Sequence, residues 1–221
     1  MGVRMKAIIL GGTSGIGKSI VDNLNGICNE IIATGKKDVD TSSPTSVADF
    51  IKKNKNPDVL VLNTGGPPDL DFKEISPEIW LENFNKLFLS FAAIMKDIEI
   101  KENGYVFLIS SYIIKQPGKE LIMSSSLRTG FVSLFKSLSK IYSKSKISFI
   151  NIAPGPIKTN RLVGLLKKEN ISMDEFAKTL PGSHVPEPSE IGLFVKFVVE
   201  NKIKSFNGVT VPFDSGLLET I

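Results

Sequence analysis

The sequence predicts an α/β fold built on a doubly wound parallel sheet. Six short apolar segments alternate with segments whose apolar residues recur at helical spacing, and this alternation is typical of parallel strands joined by crossover helices. The predicted strands span residues 6–10, 30–34, 59–63, 104–110, 147–153 and 208–213. The chain has 221 residues, 42% of them hydrophobic, and it lacks a polar low-complexity tract, so we expect a single domain over 1–221.

Two helix starts carry a specific local signal. Ser43 precedes Pro44, and Ser76 precedes Pro77, each at the beginning of a segment with helical periodicity. A serine caps the first free backbone N–H groups of a helix, and proline is favoured at the first helical position. Both pairs therefore predict helix N-termini.

A glycine turn joins the first predicted strand to the first predicted helix. Residues 10–17 read Leu-Gly-Gly-Thr-Ser-Gly-Ile-Gly. Gly11 permits a tight turn, Gly15 lets the backbone approach a pyrophosphate, and Gly17 allows the helix to pack closely against the strand. The helix N-terminus then faces the phosphates, so the turn predicts a nucleotide site.

The glycine spacing and several later motifs resemble the short-chain dehydrogenase/reductase superfamily, in the same order along the chain. The motifs are Asn-Thr-Gly-Gly at 63–66, Ile-Ser-Ser at 109–111, Ala-Pro-Gly-Pro-Ile-Lys-Thr at 153–159, Pro-Ser-Glu-Ile-Gly at 188–192 and Gly-Val-Thr-Val-Pro-Phe-Asp-Ser-Gly at 208–216. The resemblance implies a Rossmann fold and an oxidoreductase similar to the β-ketoacyl carrier protein reductase branch.

One departure from the family concerns the third strand. Family members have a helix and a strand between the second strand and the segment that contacts adenine. Here only Asp38 and Val39 separate Lys37 from Asp40. A parallel crossover needs a dozen or more residues, so we expect the third strand and its preceding helix to be missing.

The segment after the second strand also bears on the cofactor. The resemblance places Gly35 where members that prefer NAD(H) carry an Asp, and Lys36 and Lys37 follow it. An ammonium there neutralises a 2′-phosphate, which favours NADP(H) over NAD(H); the alternative is that both lysines are exposed turn residues. The resemblance implies these cofactor-binding residues: Gly11, Thr13, Ser14, Gly15, Ile16, Gly17, Lys36, Lys37, Asp40, Thr41, Asn63, Thr64, Gly65, Arg128, Pro154, Gly155, Ile157 and Thr159.

The catalytic motif is where the chain differs most from the family, which uses Asn, Ser, Tyr and Lys. The run Arg-Thr-Gly-Phe-Val at 128–132 is similar to the family's Lys-Ala-Gly-Val, so Arg128 takes the position of Lys and Ser124 that of Tyr. Leu87 takes the position of Asn, and Ser111 is unchanged. The resemblance therefore implies Ser111, Ser124 and Arg128 as the catalytic set.

This set lacks an evident proton donor. An aliphatic hydroxyl such as that of Ser124 has a far higher pKa than a phenol, whose pKa is about 10. Tyr112 is one alternative donor, although continued strand geometry would turn it away from the face of Ser111. His184, with an ordinary pKa of about 6.5, is another alternative donor. Instead of a catalytic role, Tyr112 could serve in packing and His184 could be an exposed loop residue.

Three functions remain compatible with these residues. The first is an NADP(H)-dependent oxidoreductase acting on a carbonyl or alcohol substrate through an atypical site. The second is a catalytically inactive nucleotide-binding protein that serves as a sensor or partner subunit. The third is a different reaction on a nucleotide-linked substrate, such as a nucleotide sugar.

Composition and charge limit the ligands, metals and cellular compartment that we expect for this chain. The net charge is +4, but the lysines are scattered at helix ends and turns, so we expect a small-molecule substrate and no nucleic acid.

Cys28 is the single cysteine, which excludes an internal disulfide and indicates a reducing compartment. One His with one Cys cannot form an ordinary zinc site, so we expect no metal. The N-terminal apolar run is too short for a signal peptide or membrane span, and we expect a cytoplasmic protein without membrane contact.

Two predicted helices are apolar around most of their circumference. They cover residues 80–94 and 127–141 and are rich in Leu and Phe. Because a sheet covers only one side of a helix, the rest of such a surface needs another partner. In the similar family the matching helices form a four-helix interface, so we expect a homodimer or homotetramer.

Overall fold

The computed structural model describes residues 5–119 and 121–220, which contain one parallel six-stranded sheet. Its strand order is β2-β1-β3-β4-β5-β6, and every neighbouring pair is parallel. The strands are β1 Lys6–Leu10, β2 Glu30–Thr34, β3 Val59–Leu62, β4 Tyr105–Ile109, β5 Ser148–Pro154 and β6 Val209–Phe213. The order reverses between β1 and β3, and in open parallel sheets ligands bind at the carboxyl ends of the strands at such a point.

Helices cover both faces of this sheet. They are α1 Gly15–Leu24, α2 Pro44–Lys53, α3 Pro77–Phe84, α4 Ser90–Asp97, α5 Ile122–Ile141, α6 Asn160–Lys168, α7 Met173–Thr179 and α8 Pro188–Glu200. One core packs α1 and α8 against the sheet, and the other packs α2, α4 and α5 against its opposite face. The predicted doubly wound fold is therefore confirmed. None of the helices described is long and apolar enough to cross a membrane.

The predicted loss of one strand and one helix is also confirmed. The chain leaves β2 at Thr34 and enters α2 at Pro44, and β2 forms the sheet edge beside β1. The intervening residues make turns, in which the backbone N–H groups of Asp38 and Val39 donate to the carbonyl oxygen of Gly35. Residues 35–43 therefore join β2 directly to α2.

Both predicted helix starts have the expected capping geometry. The backbone N–H of Ser46 donates to Ser43 Oγ at 3.3 Å, and that of Ile79 donates to Ser76 Oγ at 3.4 Å. Pro44 and Pro77 begin α2 and α3. The N-termini of both helices are thereby fixed by a serine cap and a proline.

The predicted helix over 80–94 is longer and less regular than expected. It is a continuous helical segment in which a π turn, Asn85–Leu89, separates α3 from α4. A π turn contains one extra residue per turn and occurs often at functional sites. Lys86 lies in this turn, and its Nζ donates to the carbonyl oxygen of Gly66 at 3.1 Å.

Candidate cofactor and substrate site

A groove with two adjacent compartments follows the carboxyl ends of the central strands. The first compartment, of about 250 Å³, extends past the segment after β2, and the second, of about 540 Å³, extends past the end of β4 and the start of α5. Five residues line both, which makes them parts of one groove: Gly11, Ser14, Asn63, Thr64 and Gly65.

The glycine turn has the geometry that an anion at a helix N-terminus requires. Gly11 and Gly15 adopt φ values of +62° and +51°, which disfavour side chains. A Cβ on Gly17 would lie 2.1 Å from the carbonyl oxygen of Gly11, so the turn closes only with glycine there. Ser14, the residue before α1, makes no side-chain capping bond, and the first-turn N–H groups of α1 fit a pyrophosphate.

Side-chain hydrogen bonds tie the loops of the groove together. Asn63 Nδ2 donates to the carbonyl oxygen of Gly11 at 3.2 Å, which joins the turn after β3 to the glycine turn. The hydroxyl groups of Thr41 and Thr64 lie 3.1 Å apart and join the segment after β2 to the same turn. These two hydrogen bonds thus join three loops of the groove.

The two lysines after Gly35 are placed differently. Lys36 lines the first compartment, with Nζ 3.9 Å from Asp40 Oδ2, whereas Lys37 is outside the lining of both compartments among the residues described. The Ser42 hydroxyl and backbone N–H donate to Asp40 and lower the pKa of its carboxyl, and Lys36 adds a smaller contribution. Of the two lysines, Lys36 is therefore the one that lines the groove.

Arg128 is a buried cation, with only 9% of its surface exposed. Its Nε donates to Ser124 Oγ at 3.1 Å, and its Nη1 donates to the carbonyl oxygen of Ile109 at 3.1 Å. Burial lowers the pKa of Arg128 to about 10, and the charge of Arg161 contributes further. Within the described ranges, no carboxylate lies within ion-pair distance of this guanidinium.

Tyr112 lines the second compartment together with Ser111. β4 ends at Ile109, and a 3-10 turn, Tyr112–Ile114, begins directly after Ser111. Strand alternation has stopped by this point, so it does not apply to Tyr112, and both residues line the compartment. His184 lies elsewhere, because its exposed ring pairs with Glu190 at 3.1 Å and lines neither compartment.

Two cations at the site were not found from the sequence. Lys86 is half-buried, and its pKa is lowered first by burial and then by Lys36, with Arg128 and Arg161 adding to the effect. The Arg161 guanidinium lies so close to Gly66 that a Cβ there would be 2.5 Å from Nη1. Lys86 lines the first compartment and Arg161 the second.

Most of the residues that the resemblance implied therefore line the groove. In the first compartment these are Gly11, Thr13, Ser14, Lys36, Asp40, Thr41, Asn63, Thr64 and Gly65. In the second they are Gly11, Ser14, Gly15, Ile16, Asn63, Thr64, Gly65, Ser111, Ser124, Arg128, Pro154, Gly155, Ile157 and Thr159. Gly17 acts behind the surface by allowing the turn, and Lys37 is the other residue left outside the lining.

Comparison with known proteins gives matches along nearly the whole chain. A family model described as Enoyl-(Acyl carrier protein) reductase matches residues 14–218. The uncharacterized oxidoreductase YvaG of Bacillus subtilis is 22% identical, with 97% of this chain and 96% of the relative covered. The 3-oxoacyl-[acyl-carrier-protein] reductase FabG of Chlamydia muridarum is 25% identical, with 91% and 82% covered.

Solved structures show the same architecture. The L-sorbose reductase of Gluconobacter frateurii, in complex with NADPH and L-sorbose, superposes with a TM-score of 0.87 at 18% identity and covers 100% of this chain and 99% of its own. YwfH, an NADPH dependent reductase involved in bacilysin biosynthesis, gives a TM-score of 0.87 at 16% identity, with 99% and 100% covered. At these identities the likeness establishes the fold.

Proposed function

The chain belongs to the short-chain dehydrogenase/reductase superfamily, and we propose that it is an NADP(H)-dependent oxidoreductase that acts on the carbonyl or alcohol group of a small molecule. The observation that carries the proposal is one groove in which an uncapped helix N-terminus, Lys36, Ser111 and buried Arg128 all meet. Several similar structures hold NADPH or NADP, which supports the choice of cofactor.

The side chains of the second compartment have distinct roles in this proposal. A nicotinamide dinucleotide bound in the groove supplies the hydride for carbonyl reduction. Ser111, whose side chain makes no capping bond to the next turn, donates a hydrogen bond to the carbonyl oxygen. Arg128 has a pKa of about 10, so it stays protonated near neutral pH and binds rather than accepts a proton. Ser124 accepts from Arg128 and orients it.

The proton donor is the weakest part of the catalytic set. The hydroxyl at position 124 is aliphatic and already accepts a hydrogen bond from Arg128 Nε. A general acid contributes roughly 10²- to 10⁴-fold to rate, so we expect slow reduction of ordinary ketones. Tyr112 lines the same compartment and is a better alternative donor than His184; loss of residual turnover in Tyr112→Phe, but not in His184→Asn, would assign that role to Tyr112.

We expect NADPH to bind several-fold more tightly than NADH. Lys36 Nζ supplies a countercharge for a 2′-phosphate, and position 35 carries no carboxylate to hold the ribose hydroxyls. Lys36→Ala should remove most of the preference, whereas Lys37→Ala is the matched control because Lys37 does not line the groove. Titration by nicotinamide fluorescence measures both affinities.

Salt provides a second readout of this preference. Lys36 has 84% of its side chain exposed, and attraction between exposed charges is screened as ionic strength rises. The ratio of the two affinities should therefore fall with added salt in the wild type and stay constant in Lys36→Ala. Equal affinities for NADPH and NADH, or equal effects of the two alanine variants, would show that Lys36 does not meet the phosphate.

We further propose that the chain assembles as a homodimer or homotetramer. Leu81 on α3 and Leu89 in the π turn are 60% and 45% exposed, on the helical segment that the family uses for assembly. Light scattering at micromolar concentration should report a dimer or tetramer, and Leu89→Glu should shift it towards monomer. Ile171→Glu, at a residue 39% exposed beyond α6, is the control; a monomeric wild type would contradict the proposal.

A catalytically silent nucleotide-binding protein is the second candidate function. Ser124 and Leu87 favour it, because neither can provide the proton chemistry of the residues that the family has there. NADPH oxidation against a broad carbonyl panel distinguishes the two. Binding without turnover on the panel supports the silent protein, and turnover that depends on Ser111 supports the enzyme.

A further inference from the structure

We propose that the substrate is itself an anion, a small carbonyl or alcohol compound that carries a carboxylate or phosphate group held by Arg161 and Arg128 in the second compartment. The inference rests on the proposed oxidoreductase function and specifies the class of substrate. Three features of the described residues support it: the positive charge of the lining, the burial of Arg128 without a charged partner, and the position of Arg161.

The charge of the second compartment is one-sided. Its described lining contains the two arginines and no acidic residue. The first compartment is different, because Asp40 and Glu82 line it together with Lys36 and Lys86. The excess positive charge is therefore concentrated on the side of the groove that contains Ser111, where the substrate would lie.

Arg128 has no charged partner among the described residues. A buried charge needs a partner, and a guanidinium has five N–H donors to satisfy. The identified hydrogen bonds use Nε and Nη1, and both acceptors, Ser124 Oγ and the Ile109 carbonyl oxygen, are uncharged. A carboxylate or phosphate bound in the compartment would supply the missing countercharge.

Arg161 brings a second guanidinium to the same place. It belongs to the first turn of α6, its Nη1 packs against Gly66, and its charge lowers the pKa values of Arg128 and Lys86. An anion bound between the two arginines would relieve their mutual repulsion. Apart from Glu82, which opposes the shift of Lys86, no carboxylate contributes to these two shifts.

The cofactor does not account for Arg161. The N-terminus of α1 fits the pyrophosphate, and Lys36 is placed for the 2′-phosphate. Arg161 lines only the second compartment, next to an apolar wall of Leu162, Leu165 and Phe176. An anionic group beside a short apolar wall describes a compact acid or phosphate ester better than a neutral polyol.

Binding of charged and neutral probe pairs to protein saturated with NADP⁺ tests the proposal. The pairs are acetoacetate with ethyl acetoacetate, and dihydroxyacetone phosphate with dihydroxyacetone, so the two arms separate a carboxylate from a phosphate. In isothermal titration calorimetry, at least one anion should bind about ten-fold or more tightly than its neutral partner, as charge-assisted hydrogen bonds imply.

Variants on one helix provide the matched comparison. Arg161→Gln should weaken binding of the preferred anion about ten-fold. Lys168→Gln removes the same charge from an exposed residue of α6 outside the groove and should leave binding unchanged. NADPH affinity, measured separately by fluorescence, should change little in either variant.

Two results would overturn the inference. One is equal binding of charged and neutral members in both pairs; the other is a loss of NADP⁺ affinity in Arg161→Gln as large as the loss of anion affinity, which would assign Arg161 to the cofactor. Failure of the oxidoreductase proposal is visible independently. In that case the fluorescence titration shows no dinucleotide binding, or the carbonyl panel shows no turnover that depends on Ser111, while the protein still prefers the anion in a manner that depends on Arg161.

Discussion

Combining Ser124→Tyr with Arg128→Lys is expected to raise NADPH-dependent ketone reduction by a factor on the order of 10² over the wild type. The two positions lie four residues apart on α5, one helical turn, and both line the second compartment with Ser111. A tyrosine restores a phenol as proton donor, and a neighbouring lysine lowers its pKa. Steady-state NADPH oxidation should be compared at matched cofactor occupancy.

The expected gain in rate is limited by Leu87 and depends on Ser111. Leu87, 2% exposed, remains where the family has Asn, so the associated proton relay is not rebuilt and the rate stays below that of a complete site. Adding Ser111→Ala to the double variant should remove the gain, because it removes the hydroxyl that we propose polarises the carbonyl. Vigorous wild-type turnover that survives Ser111→Ala would contradict this account and direct attention to Tyr112 or His184.

Gly17→Ala is expected to weaken NADPH binding on the order of 10²-fold or more, about 3 kcal/mol. The added Cβ would lie 2.1 Å from the carbonyl oxygen of Gly11 and 2.9 Å from Asn63 Nδ2. The turn must move to relieve these contacts, and the N-terminus of α1 moves with it. Fluorescence titration with NADPH measures the loss.

The matched control is Gly164→Ala on α6. A Cβ at Gly164 would meet nothing within 4 Å, so the substitution adds helix propensity without a clash. It should leave NADPH affinity unchanged. Circular dichroism and thermal melting of both variants separate a local distortion from unfolding, and unaltered NADPH affinity in a folded Gly17→Ala protein would exclude the phosphate turn as the binding site.

The strands of the sheet could be predicted from the sequence because the signals for a buried strand are local. The central strands are short, fully buried apolar runs, and their predicted ends fall within one residue of the observed β3 Val59–Leu62 and β4 Tyr105–Ile109. The missing strand followed from the family pattern together with the spacing, since the two residues between Lys37 and Asp40 leave no room for a crossover. Serine and proline placed two helix starts for an equally local reason.

The parts that the sequence did not reveal depend on contacts between distant segments. An α-helical period cannot indicate the π turn Asn85–Leu89, which is one residue wider. Without it there was no reason to place Lys86 beside Gly66, 20 residues away. Arg161 had only one weak signal, its position two residues after Thr159, and its approach to Gly66 depends on how α6 folds over the groove.

Tyr112 lies beyond the boundary at which the strand rule applies. Alternation along a strand holds only while the strand continues, and β4 ends three residues earlier, at Ile109. The start of α5 was likewise predicted at 127, whereas the helix begins at Ile122. The earlier start extends the helical segment that carries Ser124 and Arg128 by more than one turn.

A crystal structure of the protein with NADP⁺ tests the central claim most directly, namely that the groove retains its nucleotide while the proton donor beside it has been replaced. We predict that the pyrophosphate lies against the first-turn N–H groups of α1, the 2′-phosphate within hydrogen-bond distance of Lys36 Nζ, and the nicotinamide beside Ser111 and Arg128. A dinucleotide bound outside this groove, or one whose 2′-phosphate faces away from Lys36, would contradict the account.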